Sequence, residues 1–284
     1  MRPIRTHNLA RAAPEPARDS QKQRVWPVEY LAPVWACPTA PAVSKCSAVR
    51  VIDCPSIATH WNRILAGLPT QELSRLENYF RRIAFKRGEL FYNIAAPMES
   101  VCFPLAGMIC LFAVMHDGRT VVLAATGREG VLGVPLLLGE ETASLRAIAL
   151  IGGSALTLDR DQVARILPAA PEFATRLRRY SRDYLAQLVQ IGACHALHSV
   201  SQRVARWLLM VRDRSSSDSL SLTHESLSEM LGCRRSSITE SLSLLEKAGA
   251  IRGARGHVRI VDRRRLEQQS CECYVLAHER ATSA

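Results

Sequence analysis

The sequence predicts an α+β chain in which an antiparallel β-roll leads into a long helix and then into a C-terminal helix-turn-helix. Three observations carry that prediction. Short β-rich runs separated by glycines occupy residues 83–158, apolar residues recur at 3-4 spacing from Phe173 to Ile191, and two amphipathic segments flank a Gly-Cys break within residues 222–251. Alternating apolar runs argue for strands and a 3.6 period for helices. With 284 residues the chain can hold two domains, each with its own core.

Residues 1–55 hold 8 of the 14 prolines and show no sustained periodicity. Residues 1–58 are therefore expected to be a disordered arm, or an extension from a misassigned start codon. Cys37, Cys46 and Cys54 lie too far apart for the close pairing of an iron–sulfur motif.

Residues 59–169 are expected to form the roll, a sensor domain. Asn62 to Phe80 reads as helical pieces broken at Gly67-Leu68-Pro69, with Thr70 as an N-cap. Strand-like runs follow at Ile83–Phe85, Leu90–Tyr92, Val101–Phe103, Met108–Met115, Val121–Ala125, Ala147–Ile151 and Ala155–Leu158. Asp117-Gly118 between two of them predicts a hairpin with a type I′ turn, which needs positive φ at both central residues. Many short strands at this spacing make an antiparallel barrel or roll.

Residues 170–196 are expected to be a dimerisation helix. Leu177, Tyr180, Tyr184, Leu188 and Ile191 form a narrow apolar stripe, with Arg176, Arg178, Arg179, Arg182 and Asp183 on the other side. Such a stripe suits a two-stranded coiled-coil contact. Packing against the chain's own roll is the alternative, and both can hold along different parts of the stripe.

Residues 197–284 are expected to form the DNA-binding domain. Leu227, Met230 and Leu231 share one helical face, Gly232 can turn the chain, and Ile238, Leu242, Leu245 and Ala248 repeat on the second helix. Thr223 stands at the N-cap, while Ser226 in place of Glu or Gln leaves the capping box incomplete. A tight break between two such helices makes a helix-turn-helix, whose second helix enters the DNA major groove. Arg234, Arg235, Ser236 and Ser237 lie at its N-terminus. An ordinary helical hairpin with a solvated basic turn is the alternative. Charge favours DNA: the net is +11 for the whole chain, and residues 232–265 alone hold 9 basic and 3 acidic groups.

Other chemistry is weakly represented. Cys194, His195 and His198 have ligand-like spacing, as do Cys271, Cys273 and His278, but zinc needs four ligands together and neither group holds four. No metal and no other cofactor are expected. There is no P-loop and no G-x-S-x-G, H-E-x-x-H or G-x-G-x-x-G motif, so an enzyme is not expected. No apolar run approaches the roughly 20 residues that span a bilayer, and no signal peptide is recognisable, so a cytoplasmic protein is expected without a membrane partner.

Residues 60–275 resemble the Crp/Fnr family of bacterial transcription regulators. The likeness rests on the glycine-punctuated roll, the helix at 171–193, the helix-turn-helix and a wing at Ile251 to Val261 (IRGARGHVRIV). It is closest in the C-terminal third and extends to Arg263–Tyr274, which is similar to a subgroup without a defined effector. The resemblance implies a cyclic-nucleotide-binding-like roll, a winged helix-turn-helix, and a homodimer on palindromic double-stranded DNA that works with RNA polymerase. It casts Arg235 as a guanine reader, since arginine's two donors suit the O6/N7 pair. Ser236 and Glu240 replace residues common in the family and point to a different operator, Glu240 accepting from a cytosine amine or orienting Arg235. Ser237, Arg234 and Thr223 complete the DNA-binding set, with Arg255 and His257 in the wing.

The effector side departs from the family. Cyclic-nucleotide members hold the ribose with Gly-Glu and the phosphate with Arg-Ser or Arg-Thr; Gly133-Val134 and Glu141-Thr142 stand there instead. An acid in place of the phosphate's cation opposes anion binding, so cyclic AMP is not expected. A canted alignment would make Arg146 the phosphate's cation, but Arg146 is expected instead to pair with Glu129 or Glu141. Two rival functions are a metal- or redox-responsive sensor using Cys102, Cys110 or Cys194, and a ligand-binding module whose tail contacts protein instead of DNA.

Overall fold

Two long strands organise the first half of the chain. In the computed structural model, which describes residues 50–51, 62–254 and 256–277, β1 (Arg50–Val51) is followed by α1 (Arg63–Ala66), α2 (Thr70–Leu76), β2 (Arg81–Phe85), β3 (Leu90–Tyr92), β4 (Ser100–Val114) and β5 (Thr120–Thr126). After them come α3 (Val134–Leu137), β6 (Arg146–Asp159) and α4 (Arg160–Ile166). The strands form one antiparallel sheet in the order β1-β2-β6-β4-β5, with β3 also on β6. The expected arm and its Cys37, Cys46 and Cys54 fall outside the described residues, apart from the two residues of β1.

The sequence suggested pairs of short strands where the chain makes single long ones. Strands β4 and β6 pair from Ser100–Asp159 to Phe112–Arg146, with register shifts between Pro104 and Ile109. These bulges bend the ribbon without ending it. Glycine is required at the bend: a Cβ on Gly153 would lie 2.0 Å from the Ala106 carbonyl oxygen. The same residues that looked like strand breaks are thus the hinges of continuous strands.

Beyond the bend both faces of the ribbon are buried. Ile109, Leu111, Ala147 and Ala149 point into the roll core, with Phe103, Phe173 and Tyr180. Met108, Cys110, Phe112, Ile148 and Leu150 join a second core with Trp207, Leu208 and the C-terminal helices. A two-sided burial explains why this stretch reads as a nearly continuous apolar run instead of an alternating one.

The Asp117-Gly118 hairpin is present, but its turn differs from the expected type I′. Gly118 has φ +83°, while Asp117 is not in the positive-φ region. Gly118 N donates to Met115 O (3.0 Å) and Met115 N to Arg119 O (2.8 Å), the pattern of a type I turn closed by a glycine bulge.

Helix α5 spans Pro171–Leu197. Its N-terminus is capped from another element: the Glu72 carboxylate accepts from the backbone N–H of Glu172 (3.1 Å) and Phe173 (2.9 Å). The first part of the expected dimerisation stripe faces inward, as in the alternative of packing against the chain's own roll. Leu177, Tyr180 and Tyr184 are buried in the roll core, Leu188 packs against it, and Ile191 is buried beside Arg206. The roll has an open apolar side to cover, and α5 supplies the cover.

Helix α6 (Val200–Ser215) starts after His198 with a full capping box, Ser199 with Gln202. Beyond it lie β7 (Ser219–Leu220), α7 (His224–Leu231), α8 (Arg235–Lys247), β8 (Ile251–Ala254), β9 (His257–Ile260) and α9 (Arg263–Gln269). Strands β7-β9-β8 form a small antiparallel sheet. Among the described residues no helix is long and apolar enough to cross a membrane.

Candidate nucleic-acid interface and sensor cavity

The turn between α7 and α8 is built as the sequence suggested. Gly232 takes the left-handed conformation (φ +61°), and a Cβ there would sit 3.4 Å from Val121 of β5. The capping box at the start of α7 is complete after all. Thr223 Oγ1 accepts from Ser226 N (3.0 Å), and Thr223 N donates to Ser226 Oγ (2.9 Å), so a serine does the work expected of Glu or Gln. Arg203, buried on α6, donates to the Leu231 carbonyl at the end of α7 and to His195 Nδ1. This locks the motif to the helix that precedes it.

Helix α8 buries Ile238, Ser241, Leu242 and Leu245 and leaves Ser236, Thr239, Glu240 and Lys247 exposed. Arg234 is the N-cap residue and is exposed, and Ser237 is half-buried. The Arg235 side chain is 70% exposed and approaches Glu225 of α7 at 3.7 Å. Glu225, and not Glu240, is the carboxylate it approaches. Arg235, Glu225, His224, Thr239 and Glu246 line a cleft that runs to His257 on the wing. His224 Nδ1 and Thr239 Oγ1 are 2.9 Å apart across it.

The wing adds residues that sequence reasoning missed. Arg252 and Arg259 are exposed and directly opposite in the β8–β9 register. Like charges in that position repel unless an anion lies against them. Their signal was in the sequence, as the outward positions of alternating strands around Ile251, Val258 and Ile260. His257 is exposed, with Ser221 Oγ 3.3 Å from its Nδ1. Arg255 lies outside the described residues.

In the roll, Gly133 (φ +99°) leads into α3, and Val134 is buried where the ribose acceptor was sought. A small cavity between roll and α5 is lined by Tyr92, Met98, Leu111, Val134 and Tyr184, with no charged side chain. The expected partners of Arg146 are corrected. Arg146 Nε donates to Asn93 Oδ1 (2.9 Å), Glu141 lies 3.4 Å from Arg160, and Glu129 pairs with Arg214 of α6 at 2.6 Å. Cys102 and Cys110 are buried in the two cores; burial pushes the Cys110 thiol up to about 12, a poor nucleophile.

The two cysteine–histidine groups, each incomplete by itself, meet. Cys194 and His198 from the end of α5 join Cys271 and Cys273 from the segment after α9, with all four ligand atoms within 4.8 Å of one another. His195 is not among them: burial first, then Arg203 and Arg206, push it down to about 4. His278 lies outside the described residues. The Cys194 thiol is held well below the ordinary thiol range, first by the hydrogen bond from Cys271 and, against burial, by the Arg206 charge.

Comparison with known proteins covers both halves. Residues 82–169 match the family described as cyclic nucleotide-binding domain, and residues 202–269 the Crp-like helix-turn-helix domain. The chain is 23% identical over 221 residues to the nitrogen fixation regulation protein FixK of Bradyrhizobium diazoefficiens, covering 75% of this chain and 92% of that protein. It is also 23% identical to the CRP-like cAMP-activated global transcriptional regulator of Mycobacterium tuberculosis, covering 73% of this chain and 96% of the other. Among solved structures, FixK2 from Bradyrhizobium japonicum superposes with TM-score 0.57 at 20% identity, covering 67% of this chain and 96% of that one. A transcriptional regulator of the CRP/FNR family from Thermus thermophilus gives 0.56 at 23%, covering 70% and 99%.

Proposed function

We propose, from the premise that the chain belongs to the Crp/Fnr family of transcription regulators, that it binds a palindromic operator as a cytoplasmic homodimer and recruits or blocks RNA polymerase there. The observation that carries the reading is the exposed N-terminal turn of α8, with Arg235 standing free of the core beside a wing whose two opposed arginines lack a carboxylate partner among the described residues. Two such helices enter successive major grooves about 34 Å apart. Arg235 reads guanine; Arg234, Ser237, Arg252, Arg259 and His257 contact phosphates; Ser236 and Glu240 set the rest of the operator.

Salt titration of operator binding tests this. Several phosphate contacts make the logarithm of affinity fall steeply and linearly with the logarithm of salt. A flat dependence would favour a tail that contacts protein. Arg235→Ala is expected to cost about 1–3 kcal/mol and relax specificity at one base step. Equal losses on operator and random DNA in a mobility-shift assay would reassign Arg235 to a phosphate.

With Leu177, Tyr180 and Tyr184 packed on the roll, dimerisation uses the outward face of α5. Leu185 (51% exposed), Val189 (75%), Ala193 and Ala196 lie on it at helical spacing, and a Cβ on Gly192 would meet open space. Val189→Glu is expected to give a monomer in sedimentation velocity and to abolish operator binding; an unchanged dimer would place the interface elsewhere. Cyclic AMP is not the effector in this reading. The sensor cavity offers an apolar lining and no cation for a phosphate.

A further inference from the structure

We propose that Cys194, His198, Cys271 and Cys273 form a closed, structural zinc site that staples the C-terminal segment to the end of α5. The two halves of the site lie on opposite sides of the α5–α6 junction. Cys194 lies in the last turn of α5, and His198 is the C-cap residue, whose backbone N–H donates to the Cys194 carbonyl at 3.1 Å. Cys271 and Cys273 follow the end of α9.

Two of the six ligand–ligand distances match one tetrahedral ion, and the others stay within 4.8 Å. Zinc with sulfurs at about 2.3 Å and a nitrogen at about 2.0–2.1 Å separates its ligand atoms by roughly 3.6–3.8 Å. Cys194 Sγ lies 3.6 Å from Cys271 Sγ, and Cys273 Sγ lies 3.6 Å from His198 Nδ1. The three cysteines are at most 2% exposed and pack as a cluster of their own, outside both apolar cores. Buried thiols that do not join an apolar core need another reason to be together.

The surroundings supply three further, independent arguments. His198 turns its other nitrogen, Nε2, to Glu272 Oε1 at 3.2 Å. A carboxylate behind the histidine fixes the ring and raises its basicity as a ligand, the usual outer partner of a zinc-bound histidine. Gln190 Nε2 donates to Cys273 Sγ at 3.1 Å, a bond suited to a thiolate. Arg206 is 2% exposed, its Nε has no hydrogen-bond partner, and among the described residues it makes no ion pair. It lines a small cavity with Cys273. An uncompensated buried cation is costly. Three thiolates around a divalent ion carry a net charge of minus one, which is the counter-charge Arg206 lacks. Binding releases the three thiol protons and leaves the histidine neutral. Four protein ligands leave no open position, so the ion holds structure and does no chemistry.

The test is metal analysis of the full-length protein purified under reducing conditions without chelator. One zinc per chain is expected, and its release should accompany titration of the thiols by a mercurial. Cys194→Ser and Cys271→Ser should lose the metal, while Cys233→Ser, on the helix-turn-helix, keeps it. Because the serine variants can fail to fold, Glu272→Gln provides a second test, with about 10–100-fold weaker zinc binding expected in a folded protein. Cobalt replacing zinc should show the strong visible absorption of a tetrahedral thiolate site. Metal-free protein whose thiols are all reduced and which takes up neither zinc nor cobalt would overturn the proposal. Stoichiometric iron with acid-labile sulfide would overturn it in favour of a cluster.

Discussion

Arg214→Met is expected to destabilise the protein by about 3–5 kcal/mol, the cost of leaving one charge of a buried pair uncompensated. Arg214 donates from Nε and Nη2 to the same Glu129 oxygen, at 2.9 and 2.6 Å, and both side chains are largely buried. Burial pushes the Glu129 carboxyl up, but the Arg214 charge and the backbone N–H of Gly127 outweigh it and hold it below the usual carboxylate range. A carboxyl with a depressed folded pKa contributes stability that is present above its unfolded pKa, about 4.3, and is lost as pH falls through the folded value. Urea midpoints should therefore decline on the acid side of about pH 4, and the decline should be shallower in Arg214→Met, which loses the Glu129 contribution. Adding Glu129→Leu to Arg214→Met should recover most of the loss, because an apolar pair of similar volume restores a satisfied interior. A single-variant cost below about 1 kcal/mol would mean that water reaches the pair.

Trp207→Ala is the second large effect, about 3–5 kcal/mol for a fully buried aromatic whose cavity cannot collapse. Trp207 is 1% exposed in the core shared by α6, the outer faces of β4 and β6, and the helix-turn-helix. Because that core spans both halves, calorimetry should show one transition moved to lower temperature. Two separated transitions, with only the later part of the chain affected, would mean that the halves melt independently.

Much of this architecture was legible in local sequence. Period and punctuation located the helix-turn-helix, since Gly232 and the apolar positions on either side of it are local signals. The long strands were harder. Gly107 and Gly153 look like breaks because glycine usually ends an element, and only the partner strand reveals a bend. The fate of the α5 stripe was equally hidden. A 3-4 repeat states that one face is apolar without saying which surface covers it, and the roll claimed Leu177, Tyr180 and Tyr184. The Cys and His residues failed for a different reason. Cys194 and Cys271 are 77 positions apart, a separation no spacing rule spans.

The packing on both sides of the β4–β6 ribbon has an evolutionary consequence. Met108, Cys110, Ile148 and Leu150 face α6, while their neighbours one position away face the roll. Drift at these sites is not free to follow one neighbour. An added methylene at Cys110 or Ile148 demands a lost one on Val204, Trp207 or Leu208, because interiors this dense tolerate exchanges that conserve volume far better than those that do not. The roll and the helix-turn-helix half should therefore change together over time, as one inherited unit.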